Sequence, residues 1–446
     1  MMFLILVEMQ DDKAAAEQLR SVMETARRDQ RSSDYTSLFE ACAYQSHKRG
    51  CRKALVQAWR NLLALFNDDR GTAALDYAQV LWNVASTLAE PLEFGPVEVE
   101  ELGQVLSNGK RFWEGREKIP EEATETRECL LDLIYLVWNS ALVCAKQSLL
   151  ASAAELFELA VDYSALLGVP EEVREIHQMS ILQSCICQAE HCLLRFGQEE
   201  ASEPFQTALL QLQHRTQDCQ QAFDPGQYAE HRVPAHVTKS QPLLKLVLCS
   251  LHVMQRHDEQ VRELVDALEL CSTIPSRLFP TIIGVMRACA AKPQLLCHVL
   301  DVATQNAVHM LQNQEGAPES SSTAAAPPVV EFILEHAQLI SDEGTQLRLF
   351  QQAHMLLERY GGLQGLFRQD QLQWLIVKAY NVGVSLLQGA ARSVMVSQQL
   401  KRSEVWVSLA LSFMRASSYG PVYEKLLSNA HQTILQKLAN PNPHRS

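Results

Sequence analysis

The stretch 128–168, ECLLDLIYLVWNSALVCAKQSLLASAAELFELAVDYSALLG, decides how the rest of this 446-residue chain is read. Its first segment, about 130–145, spaces Leu133, Val137, Ala141 and Cys144 by four, four and three, which puts them on one helical face. A Lys-Gln-Ser break follows. The second segment resumes the rhythm with Ala153, Phe157 and Ala160. Small side chains at Ala141, Ala153 and Ala160 let two antiparallel helices approach closely, and Phe157 fills the space between them. One such pair cannot bury its apolar face alone and needs neighbours to stack on.

The succession of small, small, Phe and Ala positions resembles the tetratricopeptide hairpin, with Val137 and Cys144 standing where that pattern carries tryptophan and tyrosine. A second copy runs over 370–414. There Tyr380-Asn381-Val382-Gly383 aligns with Trp138-Asn139-Ser140-Ala141, and Val407-Ser408-Leu409-Ala410 aligns with Phe157-Glu158-Leu159-Ala160. The residues that define the repeat are therefore Trp138, Asn139, Ala141, Ala153, Phe157 and Ala160 in one copy, and Tyr380, Asn381, Gly383, Val407 and Ala410 in the other. A third trace, Trp82-Asn83-Val84-Ala85, lacks a convincing second helix. For Asn139 and Asn381, a hydrogen bond to the neighbouring helix is the preferred role and partner binding the other. Trp113 and Trp406 are the tryptophans expected as exposed partner contacts.

Working outward, Leu-, Ala- and Gln-rich segments dominate, glycine (18) and proline (17) are scarce, and strand-like alternation is hard to find. The expected fold is all-α, a tetratricopeptide-like α-solenoid of antiparallel helix hairpins. Its expected organisation is a first array over 1–222 and a middle helical segment over 223–312, opened by an irregular connection at 224–242. A linker with little to bury (313–328) follows, then C-terminal repeats (329–438) and a frayed tail (439–446). The apolar start, MMFLILVEM, is short, lacks a basic flank and reads as the tail of a helix rather than a signal peptide.

A net charge of −13 opposes non-specific binding to nucleic acid or an acidic membrane face. The twelve cysteines fall mostly inside helical periodicity, as at Cys144, Cys185, Cys249 and Cys289, and read as core thiols of a reducing compartment. Cys185, Cys187, His191 and Cys192 are the best metal candidates. Cys185 and Cys187 diverge around a helix, however, and no second pair completes a tetrahedral set, so packed thiols are preferred. His231 and His236 flank Pro234 in what reads as a solvated loop. Glu121-Glu122 and Glu171-Glu172 are adjacent acids suited to helix N-termini rather than paired catalytic carboxylates. The glycines at 361–365 have no following lysine and read as a turn. Nucleotide-binding loops and nucleophile elbows are missing, so no catalytic residue, cofactor or metal is assigned.

In their order, CRKALVQAWRNLLALF, LDLIYLVWNSALVCAK, AAELFELAVDYSALLG, HQMSILQSCICQAEHCLL, LQWLIVKAYNVGVSLL, SEVWVSLALSFM and YEKLLSNAHQTILQKL resemble the C-terminal half of the meiotic Zip-four/Spo-twenty-two scaffold family. That resemblance spans about 35–438. It implies a nuclear, non-enzymatic scaffold on meiotic chromosomes that promotes crossover recombination and synaptonemal complex assembly. Its implied partners are recombination and chromosome-axis proteins, without direct nucleic-acid, membrane or small-molecule binding. The alternative is a cytosolic tetratricopeptide adaptor of the co-chaperone kind with no meiotic role.

Overall fold

A computed structural model describes residues 2–29, 32–68, 73–89, 96–114, 119, 123–196, 202–224, 233–269, 278–288, 291–314, 328–360, 366–390, 396–417 and 421–439. The protein is all-α. Residue contacts divide it into two units, 1–251 and 252–446.

The first unit contains α1 (Met2–Glu8), α2 (Asp12–Asp29), α3 (Ser32–Arg49), α4 (Arg52–Asp68), α5 (Ala74–Ala89), α6 (Pro96–Glu114), α7 (Thr124–Lys146), α8 (Leu150–Leu166), α9 (Glu171–Arg195), α10 (Glu203–Ala222) and most of α11 (Ala235–Met254). Among α1 to α10 each packs on the next in sequence except α6 and α7, and α1, α2, α5, α6 and α7 also pack on the next but one. That pattern sets α1 beside α3 and α2 beside α4, and then α5, α7 and α9 in one layer with α6 and α8 in the other. The apolar stripe read at 133–144 faces inward: Leu133, Val137, Ala141 and Cys144 are fully buried, as are Ala153, Phe157 and Ala160. The edge of Trp138 meets the Phe157 ring at a centroid distance of 5.1 Å, locking α7 to α8. By length and composition α7 is apolar enough to cross a bilayer, yet in the fold it packs on α5, α8 and α9.

The connection between α7 and α8 is short because Ser148 adopts a left-handed φ of 63°, and Leu149 N–H returns to the Cys144 carbonyl at 2.9 Å. Above that hairpin, the Tyr163 hydroxyl donates to the Leu106 carbonyl at 2.7 Å, joining α8 to α6. The same two helices and α5 crowd around Gly109, where an added Cβ would lie 2.6 Å from the Tyr163 hydroxyl and 2.7 Å from Leu81 Cδ2. Only glycine fits without a shift. The trace at Trp82 thus does have a second helix, since α5 packs on α6. Gly109 holds its small position.

Two expectations about boundaries need correction. Helix α7 begins at Thr124 rather than near 130, because Glu125, Arg127 and Glu128 continue the helix outward from the buried stripe. The supposed irregular connection at 224–242 becomes helical from Ala235, and Pro242 lies inside α11. The backbone bond that proline removes is offset by side-chain ties: His236 Nε2 meets Gln178 Oε1 at 2.6 Å, and Gln241 Nε2 donates to the Phe223 carbonyl at 2.6 Å. The expected boundary at 222/223 lies ahead of α11, whereas the two units part after Leu251, inside it. Most of the expected linker (315–327), the tail from 440, Glu121, Glu122, His231, Cys289 and 361–365 fall outside the described residues.

The second unit contains α12 (Asp258–Glu269), α13 (Leu278–Ala288), α14 (Pro293–Gln314), α15 (Val329–Leu339), α16 (Glu343–Tyr360), α17 (Gln369–Ala390), α18 (Val396–Ala416) and α19 (Pro421–Ala439). From α13 onward each packs on the next in sequence except α16 and α17, while α15 packs on α17 and α16 on α18. Its most closely joined pair is α17–α18. There the Ser403 hydroxyl of α18 donates to the Gly383 carbonyl of α17 at 2.7 Å. A ring cluster of Phe350, Trp374, Trp406 and Phe413 ties these two helices to α16.

Candidate functional site

The repeat-defining residues lie where close packing requires them, with one instructive exception. Gly383, Val407 and Ala410 are buried, while Trp138 and Tyr380 are half-buried at the edge of their stripes. Asn139 and Asn381 are both exposed. Neither amide serves the interhelical hydrogen bond preferred from sequence: the asparagine follows the aromatic by one residue, or about 100°, and so turns past the interface to solvent.

Trp113 and Trp406, expected as exposed anchors, are instead core residues, with relative exposures of 4% and 0%. Trp113 continues the inward stripe of Leu102, Leu106 and Gly109 and packs edge-on against Tyr77 and Phe112. Trp406 packs against Phe350 at 5.0 Å and donates its indole N–H to Glu343 at 3.3 Å. The aromatics that do face solvent include Tyr44, Trp82 and Tyr135.

Three clusters hold side chains capable of chemistry. Ser408, Glu404 and His431 join α18 to α19, but they form a closed triangle. Ser408 Oγ–H donates to Glu404 at 3.0 Å, and the same His431 nitrogen, Nε2, lies 3.1 Å from Ser408 and 3.2 Å from Glu404. A nucleophile relay needs the acid and the serine on opposite ring nitrogens. In the second cluster, Ser164 spends its proton on the Val161 carbonyl (2.7 Å), so His177 Nδ1, 2.6 Å away, acts as donor rather than base. Burial lowers the His177 pKa and keeps the ring neutral.

The cysteines form the third cluster. Cys185, Cys187, Cys192 and Cys219 are buried. The Cys185 thiol is raised well above its usual value, first by its hydrogen bond with Cys219 and then by burial. Burial pushes Cys192 up to about 11 and Cys249 up to about 12. Such thiols are packing groups rather than nucleophiles. Among the described residues, no group of three or more His, Cys, Asp or Glu side chains is placed to hold a metal ion.

A concave feature lies along α6 and α8 of the first unit. A trough of about 810 Å³ runs along α6 from Pro96 to Arg111 and is walled on its other side by Ser152, Glu155 and Leu156 of α8. Val99 and Leu156 form an apolar floor, while Gly103, Gln104, Ser107 and Asn108 present backbone, amide and hydroxyl groups. A smaller hollow of about 250 Å³ adjoins it across Gln104 and Asn108, lined from α4 by Arg60, Leu63, Ala64 and Asn67. Arg60 is engaged with Glu101 at 3.3 Å.

Gln104 donates to Glu100 at 3.2 Å, which leaves its carbonyl oxygen available. Glu155 has a carboxyl pKa raised first by partial desolvation and then by Glu158, with Arg215 opposing and Glu100 adding a little. The trough therefore has an acidic end at Glu100 and Glu155 and a basic end at Arg111. Sequence reading missed it, because its walls come from helices whose exposed faces carry no shared spacing. Its one legible signal was the run of Gly103, Gln104, Ser107 and Asn108 at helical intervals on one face of α6. No protein-family model matches the chain, and no curated protein matches it.

Proposed function

We propose that this chain is a non-enzymatic protein-interaction scaffold whose stacked helix pairs form a tetratricopeptide-like α-solenoid and hold segments of partner proteins. The observation that carries the reading is the alternation of packing between next and next-but-one helices, which leaves the polar trough of α6 and α8 on one layer. The buried thiols and the closed Ser408–Glu404–His431 triangle support a structural rather than catalytic use of the chain's reactive side chains. The net negative charge suits protein partners better than phosphate backbones.

The meiotic setting rests on the family resemblance of the ordered segments. In that setting the scaffold acts in the nucleus, on meiotic chromosomes, and promotes crossover recombination and synaptonemal complex assembly by binding recombination and axis proteins. Co-purification with the full chain from meiotic and from somatic cells tests this. Recombination or axis proteins enriched from the meiotic cells support it. Chaperones recovered without them would make the chain a cytosolic adaptor.

A further inference from the structure

Gly103 sits mid-helix in α6, where glycine costs about 1 kcal/mol relative to alanine. Packing does not explain it. An added Cβ there meets nothing within 4 Å, in contrast to Gly109 six residues on, where a Cβ would collide with Tyr163 and Leu81. A bare helix backbone facing an open trough is what the close approach of another chain requires. Beside it, Gln104 and Asn108 are one helical turn apart, a rise of about 6 Å. An extended peptide repeats every two residues, about 6.7 Å, so successive amides can meet successive backbone groups on one edge of a strand. Each side-chain amide supplies both a donor and an acceptor, which matches the N–H and C=O of a peptide unit.

We propose that the α6–α8 trough binds an extended segment of a partner protein whose backbone crosses Gly103 and hydrogen-bonds to Gln104 and Asn108. This rests on the scaffold reading and names the conformation of what the scaffold holds. The trough length from Pro96 to Arg111, about 22 Å of helix, accommodates six or seven extended residues. Glu100 and Glu155 select a basic side chain at one end, and Arg111 selects an acidic one at the other.

The test uses the full chain to select binders from a random peptide library, with affinities of the selected peptides then measured by calorimetry. Selected peptides should carry a basic and an acidic residue about five positions apart, since Glu100 and Arg111 are separated by about 16 Å of helix, and N-methylation of alternate residues should remove binding. Asn108→Ala should weaken binding about tenfold, the equivalent of one net hydrogen bond. Gly103→Leu should abolish binding while raising the melting temperature, a combination that a merely structural glycine cannot give. Peptides that bind Gly103→Leu as tightly as the unaltered chain would overturn the proposal. So would selection of helical peptides, or of none. Recovery of meiotic partners by both the Gly103→Leu chain and the unaltered one would sink this site while leaving the scaffold reading intact.

Discussion

Gly383 of α17 lies so close to Val407 of α18 that a Cβ on it would fall 2.6 Å from Val407 Cγ2, 3.2 Å from the Ser403 carbonyl and 3.3 Å from Trp406 Cβ. Two of those neighbours are backbone or the root of a buried ring, so they cannot swing away. Gly383→Ala gains helix propensity, about 1 kcal/mol, but forces the helices apart, and overpacking of this kind costs about 1–3 kcal/mol. The expected net effect is a destabilisation of about 1 kcal/mol in urea unfolding. A stabilised variant would show that the two helices are looser than described.

Gly109 makes a sharper case. Its hypothetical Cβ meets a hydroxyl that is itself held by the Leu106 carbonyl. Gly109→Ala therefore breaks or strains the Tyr163 bond in a buried site and should cost about 2 kcal/mol. Tyr163→Phe combined with Gly109→Ala should recover part of that loss, because the clashing oxygen is gone. A double-mutant cycle reads the coupling directly.

Ser148 offers the reverse effect. It is an exposed non-glycine residue in the left-handed region, a conformation that costs about 1 kcal/mol for a residue bearing a Cβ. Ser148→Gly should stabilise the α7–α8 hairpin by about that amount, measured as a higher urea midpoint with an unchanged slope.

His177 gives a pH dependence with a defined sign. Burial lowers its folded pKa below the ordinary imidazole value, so the unfolded chain binds the proton first as pH falls. Above about pH 6.5 both states are neutral and stability is unaffected. Stability should then decline as pH drops through that value, until the folded-state pKa is passed. His177→Asn keeps a donor near Ser164 and removes the titration, so its stability profile between neutral and mildly acidic pH should be flatter than that of the unaltered chain.

How much of this was legible in the sequence differs from residue to residue. The inward stripe at 133–144 and its partner at 153–160 could be read because apolar spacing reports a helix face directly, and Gly383 could be read because its neighbours repeat the same order. Pro242 misled, since a proline's lost bond is local while the ties at His236 and Gln241 that compensate for it are not. The asparagines misled differently: a one-residue offset from the aromatic decides between interface and solvent, and spacing alone does not resolve that. Trp113 was misplaced because it stands at the end of α6, where the continuation of the Leu102, Leu106 and Gly109 stripe is easy to lose. The trough was the least legible, as it depends on exposed side chains of α6 and α8 about fifty residues apart converging only once both helices are stacked.

The central claim, that stacked helix pairs hold segments of other proteins on the layer carrying α6 and α8, is tested most directly by cross-linking mass spectrometry. The full chain would be cross-linked to lysines of its partners in meiotic cells. The account predicts links from recombination or axis proteins concentrated at Lys110 of α6. Links spread evenly over other lysines of the first unit, such as Lys13 and Lys48, or none to such proteins, would contradict it.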